Sequence, residues 1–244
     1  MPIHAMSAAF SMFPRLLICA ALTVLPATPA LAQELPASCG SLANGENGPF
    51  DYRVVRGHRL KVVEEFHFNT KVEALISGQS GTIGADLDYV LRAFPNHHRA
   101  LSSMSRLARR LGLGIPPGAN YTPECYFMRA LHWRTDDTTA RMLYAQFLHE
   151  FKRSDEAVWH LERTAEHARD NGFTHHNIAL IYADMKRYDR ARDHGRRALQ
   201  LGFRRQGLID SLRNAGHWDD ADELIPTDAP ASGSGNGSTL GSTP

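Results

Sequence analysis

Small residues recurring at one fixed interval constrain this chain more than any other feature. Ala157 recurs as Ala191 and Ala145 as Ala179, so the period is a 34-residue one. Leu148 and Tyr182 keep the same interval, as do Phe127 and Leu161. A further series, Ala130, Thr164 and Ala198, repeats it twice. Agreement across several columns means structural repetition. Each unit reads as a pair of antiparallel helices. Where two helices cross closely, a large side chain would hold them apart. Alanine permits contact, while Leu, Tyr and Phe fill the space beside it. One pair cannot bury its apolar face alone, so neighbouring pairs must stack.

The spacing of apolar residues agrees. Helical periodicity runs from Asp86 to about Ile225. Leu87, Val90, Leu91 and Phe94 lie three and four apart, then Leu101, Met104, Leu107 and Leu111. Pro95 ends the first segment, and Asn96 is placed to cap the next. Thr122-Pro123 opens another helix with proline at its first position. Further helices are expected near Asp137, Ser154, Thr174 and Arg187. Residues 113–122, rich in Gly and Pro, read as an insert. Upstream, residues 33–85 read as an irregular arm with a short strand or helix. Leu60 to Phe68 (LKVVEEFHF) suggests a short strand. Thr70-x-x-Glu73 suggests a capping box that opens a short helix through Val72, Leu75 and Ile76, stopped by Gly78. The run from Gly78 to Gly84 reads as a loop. The expected fold class is all-α.

A 34-residue helix–turn–helix with small residues at positions 8, 20 and 27 resembles the tetratricopeptide repeat. Counted from Thr138, Ala145 and Ala157 fall at the first two of those positions, with Leu148 and Leu161 also in the family's columns. Counted from Gly172, Ala179, Ala191 and Ala198 fall at all three. Two departures stand out: Gly195 replaces a large residue at position 24, and Thr164 replaces alanine at position 27. The resemblance covers residues 95–225 and ends in a shortened unit, GLIDSLRNAGHWDDADELI. The segments DLDYVLRAFPNHHRAL and GPFDYR also resemble exported repeat proteins of bacteria. The family resemblance implies a solenoid with a concave groove lined by positions 2, 5, 9 and 12 of each first helix. In this chain those are Thr139, Met142, Gln146 and His149, then Phe173, His176, Leu180 and Ala183. NHHRALSSMSRLARRL, from Asn96, aligns with THHNIALIYADMKRY, from Thr174, which pairs His98 with His176. The groove would be open to an extended peptide or filled by the N-terminal arm.

The first residues do not belong to that body. Arg15 precedes the apolar run Leu16 to Leu25, followed by Pro26, Pro29 and Ala30-Leu31-Ala32. This is the pattern of a signal peptide over residues 1–32, and the mature protein is expected in the periplasm or outside the cell. Of the three cysteines, Cys19 leaves with the signal. Cys39 and Cys125 then form an even pair in an oxidising compartment, which usually bonds. The 27 Lys and Arg less Arg15 leave 26 against 26 Asp and Glu. That balance supplies no general drive toward nucleic acid. Residues 226–244 (PTDAPASGSGNGSTLGSTP) have no aromatic residue to bury and read as a disordered tail.

Little in the sequence points to chemistry. No G-x-S-x-G occurs, and His149-Glu150-Phe151-Lys152-Arg153 lacks the second histidine of H-E-x-x-H. The adjacent pairs His97-His98 and His175-His176 point about 100° apart on a helix and make poor chelates. The glycines at 78, 81 and 84 lack the Gly-Lys-Ser/Thr of a phosphate loop. No catalytic residue, cofactor or metal ligand is therefore expected. The expected function is an exported, non-enzymatic adaptor that docks a protein or peptide partner. A second expectation rests on the basic stretch Arg187, Arg190, Arg196, Arg197, Arg204 and Arg205, which would suit an envelope polysaccharide or another anion. A histidine metal-binding protein is the third.

Overall fold

The structure is a computed structural model that describes residues 34–42, 48–219 and 222. The expected signal at 1–32 and tail at 226–244 lie outside the described residues. Among these, the chain is all-helical. A short 3-10 turn, Ala37–Cys39, precedes ten α-helices. They are α1 (His58–His67), α2 (Thr70–Glu73), α3 (Ile83–Ala93), α4 (His98–Leu111) and α5 (Pro123–Trp133). Then come α6 (Thr138–Glu150), α7 (Ser154–Ala168), α8 (Gly172–Asp184), α9 (Tyr188–Gln200) and α10 (Gln206–Asn214).

The even-numbered helices α2, α4, α6, α8 and α10 are successive neighbours in one row. Each odd helix from α3 to α9 packs against the even helices before and after it. The closest pairings are the hairpins α6–α7 and α8–α9. Their starts repeat at the interval of the small residues, Thr138 to Gly172 and Ser154 to Tyr188. The small-residue columns lie where the repeat requires them. Ala145, Ala157, Thr164, Ala179 and Ala191 are fully buried, with Phe127, Leu148, Leu161 and Tyr182 filling the space beside them. Thr164 keeps its hydroxyl satisfied by donating to the His160 carbonyl at 2.8 Å.

The turns repeat as well. Asp137 and Asn171 cap α6 and α8, each accepting the backbone N–H three residues on. His97 caps α4 in the same way, its Nδ1 accepting from Ala100 N at 3.1 Å. These caps set the register of α4. A 40-residue step separates His97 from Asp137, and a 34-residue step separates Asp137 from Asn171. The expected alignment of Asn96 with Thr174 is therefore corrected: His98 matches Gly172, and His176 has Ser102 as its counterpart. The extra residues over two units lie in the loop from Gly112 to Thr122. Asp88 anchors that loop, accepting from Asn120 N, Asn120 Nδ2 and Tyr126 Oη.

Three local expectations change. Leu60 to His67 is helix, not strand, and Phe68 is its C-cap. Leu60 and Val63 form one buried face three residues apart against α3, and packing overrides the β-branched Val62-Val63. Asn69 caps α2 in place of Thr70, accepting from both Lys71 N and Val72 N. The helix ends at Glu73 and Leu75 turns to φ 58°, so Ile76 is exposed. Asn96 does not cap α4. Its side chain donates to Asp51 and Asp137 and accepts from Tyr52 N, which ties the arm to the α3–α4 turn.

Candidate docking face and adjoining cleft

Corresponding positions on the helix row define a face. On α8, Phe173 is 55% exposed and Leu180 39%, while His176 is buried and Ala183 half-buried. On α6, Gln146 is exposed, Thr139 and His149 are half-buried, and Met142 is buried. His149 Nδ1 is engaged with Ser154 Oγ at 2.9 Å. The capped register brings Arg99, Ser102, Arg106 and Arg109 to the same positions on α4, and the three arginines are exposed. The sequence pattern did not single these out. Their signal was the 40-residue step between Pro95-Asn96-His97 and Thr135-Asp136-Asp137, which is weak beside the 34-residue one. The face thus runs from guanidinium groups on α4, through amide and hydroxyl on α6, to apolar side chains on α8. Among the described residues, the arm's helices pack chiefly at the α3–α4 end: α1 packs on α3, and α2 packs on α3 and α4. At the α8 end, Phe203 meets both Phe173 and His176, with ring centroids 5.5 and 5.2 Å apart, and Arg205 sits over Phe203.

At the α4 end the arm and the row enclose an open cleft of about 420 Å³. Tyr52, Arg53, Arg56, Leu60 and Glu64 line it from the arm side. His98 and Arg99, the first two residues of α4, close it from the other. His98 Nε2 donates to both Asp137 oxygens, at 2.9 and 3.0 Å. Burial works to raise the Asp137 carboxyl. The bonds from His98, Ala140 N and Asn96 outweigh it and hold the group below its usual range. The Arg53 guanidinium beside Asp51 holds that carboxyl well down. Arg53 also reaches Asp136 at 3.1 Å. Beneath the cleft His97 is fully buried. Because its Nδ1 accepts from Ala100 N, its proton sits on Nε2, which donates to Glu64 at 3.1 Å. Burial, reinforced by the charge of Arg99, pushes the His97 imidazole down to about 3.

Another buried imidazole, His175, meets the half-buried His194 in the α8–α9 hairpin. His175 Nε2 donates to the Arg169 carbonyl, so its Nδ1 accepts from His194 Nδ1 at 3.0 Å. Burial lowers both groups, His194 to about 4. Among the described residues, no three His, Cys, Asp or Glu side chains are grouped to hold a metal ion. The Gly78–Gly84 loop has N–H groups already engaged: those of Gln79 and Ser80 bond the Asp86 carboxylate.

The basic stretch on α9 is largely paired. Arg187 meets Asp155, Arg190 meets Glu162, Arg196 meets Asp222 and Arg197 meets Asp170. Arg204 and Arg205 follow α9, both exposed. Cys39 and Cys125 form a disulfide that ties the arm to α5 across a sequence separation of 86. Beside it the fully buried Arg129 donates from Nη1 to the carbonyls of Cys39 and Ser41, under the Tyr121 ring. No described helix is long and apolar enough to cross a membrane.

Fold and surfaces together define an all-α protein of repeated helix pairs. Compared with family models, with curated proteins and with solved structures, the chain matches none of them.

Proposed function

We propose that this chain is a tetratricopeptide-type solenoid that works as a non-enzymatic adaptor, docking a protein or peptide partner on the even-helix row. One observation carries the reading. Gln146 and Leu180 occupy corresponding positions in consecutive repeats, and both are solvent-exposed, as is Phe173 on the same helix as Leu180. A repeat that buries its small residues while presenting amide and apolar groups at one recurring position suits an extended segment running across the helices. The signal-like sequence of residues 1–32 supports an exported location. The polysaccharide reading has less support, because four arginines of the basic stretch direct their charge at neighbouring carboxylates.

Site-specific photo-crosslinking in envelope extract tests the proposal. A crosslinker at Leu180 or Gln146 is expected to trap a discrete protein adduct. Phe173→Ala should remove that adduct. A crosslinker at Trp159, exposed on α7 in the other layer, should trap none. Equal labelling from both layers, or adducts indifferent to Phe173→Ala, would contradict the docking face. Competition by anionic polysaccharide, lost at moderate salt, would favour the second reading.

A further inference from the structure

We propose that the end of the molecule where α3 starts and α4 ends is a membrane-contacting surface, seated on a bilayer with anionic lipid headgroups. The proposal does not depend on the docking face. Two segments far apart in the chain meet there. Residues 74–82 precede α3, and residues 111–122 run from the last residue of α4 to the start of α5. Neither segment holds a charged residue. Thr82 Oγ1 donates to the Pro117 carbonyl, and Arg110 Nη1 donates to the Leu75 carbonyl at 2.8 Å. The backbones sit so close that a Cβ on Gly84 would strike the Pro117 carbonyl. On this joined surface Ile76, Leu111, Leu113 and Ile115 are exposed, Ile76 at 73% and Ile115 at 58%. Phe66, exposed as well, joins the Ser80 edge, its carbonyl accepting from Ser80 Oγ at 2.7 Å. Large apolar side chains gathered at one end of a body mark contact with another apolar phase.

Shape and charge favour a bilayer over a protein as the occupant. Gly112 and Gly114 alternate with the apolar residues, and a Cβ on either would meet no atom within 4 Å. Leu111, Leu113 and Ile115 therefore stand clear of the body as separate tips. Such tips enter the fluid boundary between headgroups and acyl chains without needing a partner of matching shape. The rim around them is cationic, since Lys71, Arg106, Arg109 and Arg110 are all exposed. Of the carboxylates at this rim, Glu73 is clasped by Arg99, and Glu150 lies 3.5 Å from Arg109. Arg106 and Arg110 donate to the Glu73 and Leu75 carbonyls. Lys71 and Arg110 have no carboxylate partner among the described residues, so positive charge is in surplus. Apolar tips inside a cationic collar match a bilayer layer by layer, acyl chains beneath a negative headgroup plane. Arginine stems can also lie along apolar surface while their heads reach phosphate.

The test uses the full chain with Cys19→Ser, so that Gly114→Cys supplies a free thiol beside the Cys39–Cys125 disulfide. A polarity-sensitive fluorophore on that thiol is titrated with vesicles of phosphatidylglycerol and, separately, of phosphatidylcholine. Phosphatidylglycerol should shift the emission to the blue and saturate it, and nitroxide-bearing lipid in the same vesicles should quench it. Phosphatidylcholine should bind about tenfold more weakly or less. Arg110→Gln should weaken binding about fivefold, the worth of one cation at an anionic surface. Ile115→Ser should weaken it about tenfold. The same fluorophore at Trp159→Cys, on α7, should stay unshifted, and Phe173→Ala should leave the Gly114→Cys signal as it was. A chain held to the vesicle by another segment would leave the label on Gly114→Cys unshifted, and that result overturns the assignment. So would a shift that lipid nitroxide does not quench, equal binding to the two lipids, or a shift produced by lipid-free envelope protein instead. Should Arg110→Gln fail to fold, the contrast between the two label positions decides alone.

Discussion

A fully buried histidine at a helix start couples this fold to pH. His97 is neutral in the fold, pushed down to about 3, and His160, desolvated in α7, is pushed down to about 4. Released by unfolding, each returns to a value near 6.5. Between those limits the unfolded chain binds protons that the folded chain refuses. The stability these groups lend is therefore whole above about pH 6.5 and is lost as the pH falls, toward 4 for His160 and toward 3 for His97. At pH 5 each group costs roughly 2 kcal/mol against neutral pH. Urea unfolding at pH 7 and pH 5 should show that loss. His160→Phe should reduce it, because His160 packs beside Tyr144 and its Nδ1 has no hydrogen-bond partner to lose. Equal stability at the two pH values would disprove the account. Lysine plays a separate role at two turns. Lys152 and Lys186 end α6 and α8 with φ of 66° and 58°, a region that costs a side chain about 1–2 kcal/mol. Arg153 N and Arg187 N close the same bond back to Leu148 and Tyr182. Lys186→Gly is expected to raise stability by about 0.5 kcal/mol after the added freedom of the unfolded chain is subtracted. A shift of the urea midpoint at constant slope measures it.

At the level of elements, the end of the helix row depends on one ring. Gly195 stands where Leu161 stands one 34-residue step earlier, and the structure shows what occupies the space. The Trp218 ring lies 3.0 Å from where a Cβ on Gly195 would sit, and Trp218 is 5% exposed. The Trp218 side chain, beyond the end of α10, thus fills a gap that α9 leaves, next to Leu208 of α10, which also lies beside Gly195. Trp218→Ala should cost about 3–5 kcal/mol and free the amides of α10 to exchange. Adding Gly195→Leu to that variant should recover part of the loss by restoring bulk from the other side. Hydrogen exchange across residues 206–218 reads both effects. Protection of α10 unchanged by Trp218→Ala would show that the ring merely covers a surface. Helix starts were legible where a capping side chain preceded apolar periodicity, as at Asp137. At α8 the cap is Asn171, close to the start expected near Thr174, and at α4 it is His97 and not the expected Asn96. The side chain of Asn96 had been claimed by the arm, a contact no local pattern can display.

Across the whole molecule, the disulfide decides how the arm is held. Closing a loop with a sequence separation of 86 restricts the unfolded chain by roughly 4–5 kcal/mol in the chain-entropy model. It also covers Arg129, whose guanidinium is lowered by burial and relies on carbonyls of the arm. Reduction should therefore lower the melting temperature and loosen the 34–42 segment, while α6 to α9 keep their structure. Melting and limited proteolysis with and without reductant check this. An unchanged melting temperature would mean that the arm's other contacts suffice. The pairing of Cys39 with Cys125 was legible from the cysteine count and the expected export. The cleft was not, because its walls come from residues 52–64 and 98–99, brought together by the Asp51–Asn96–Asp137 network.

The sequence by itself determined the helical class, the 34-residue hairpins and their buried small residues. Those follow from periodicity and from steric limits at close crossings, both of which are written along one helix or its repeat. Only the tertiary structure decided the register of α4, the helical state of residues 58–67, the filling of the space at Gly195 by Trp218 and the composition of the cleft. Each of these turns on a side chain meeting a partner far away in the chain. Local propensity favours several answers there, and the burial and hydrogen bonds gained on packing select one.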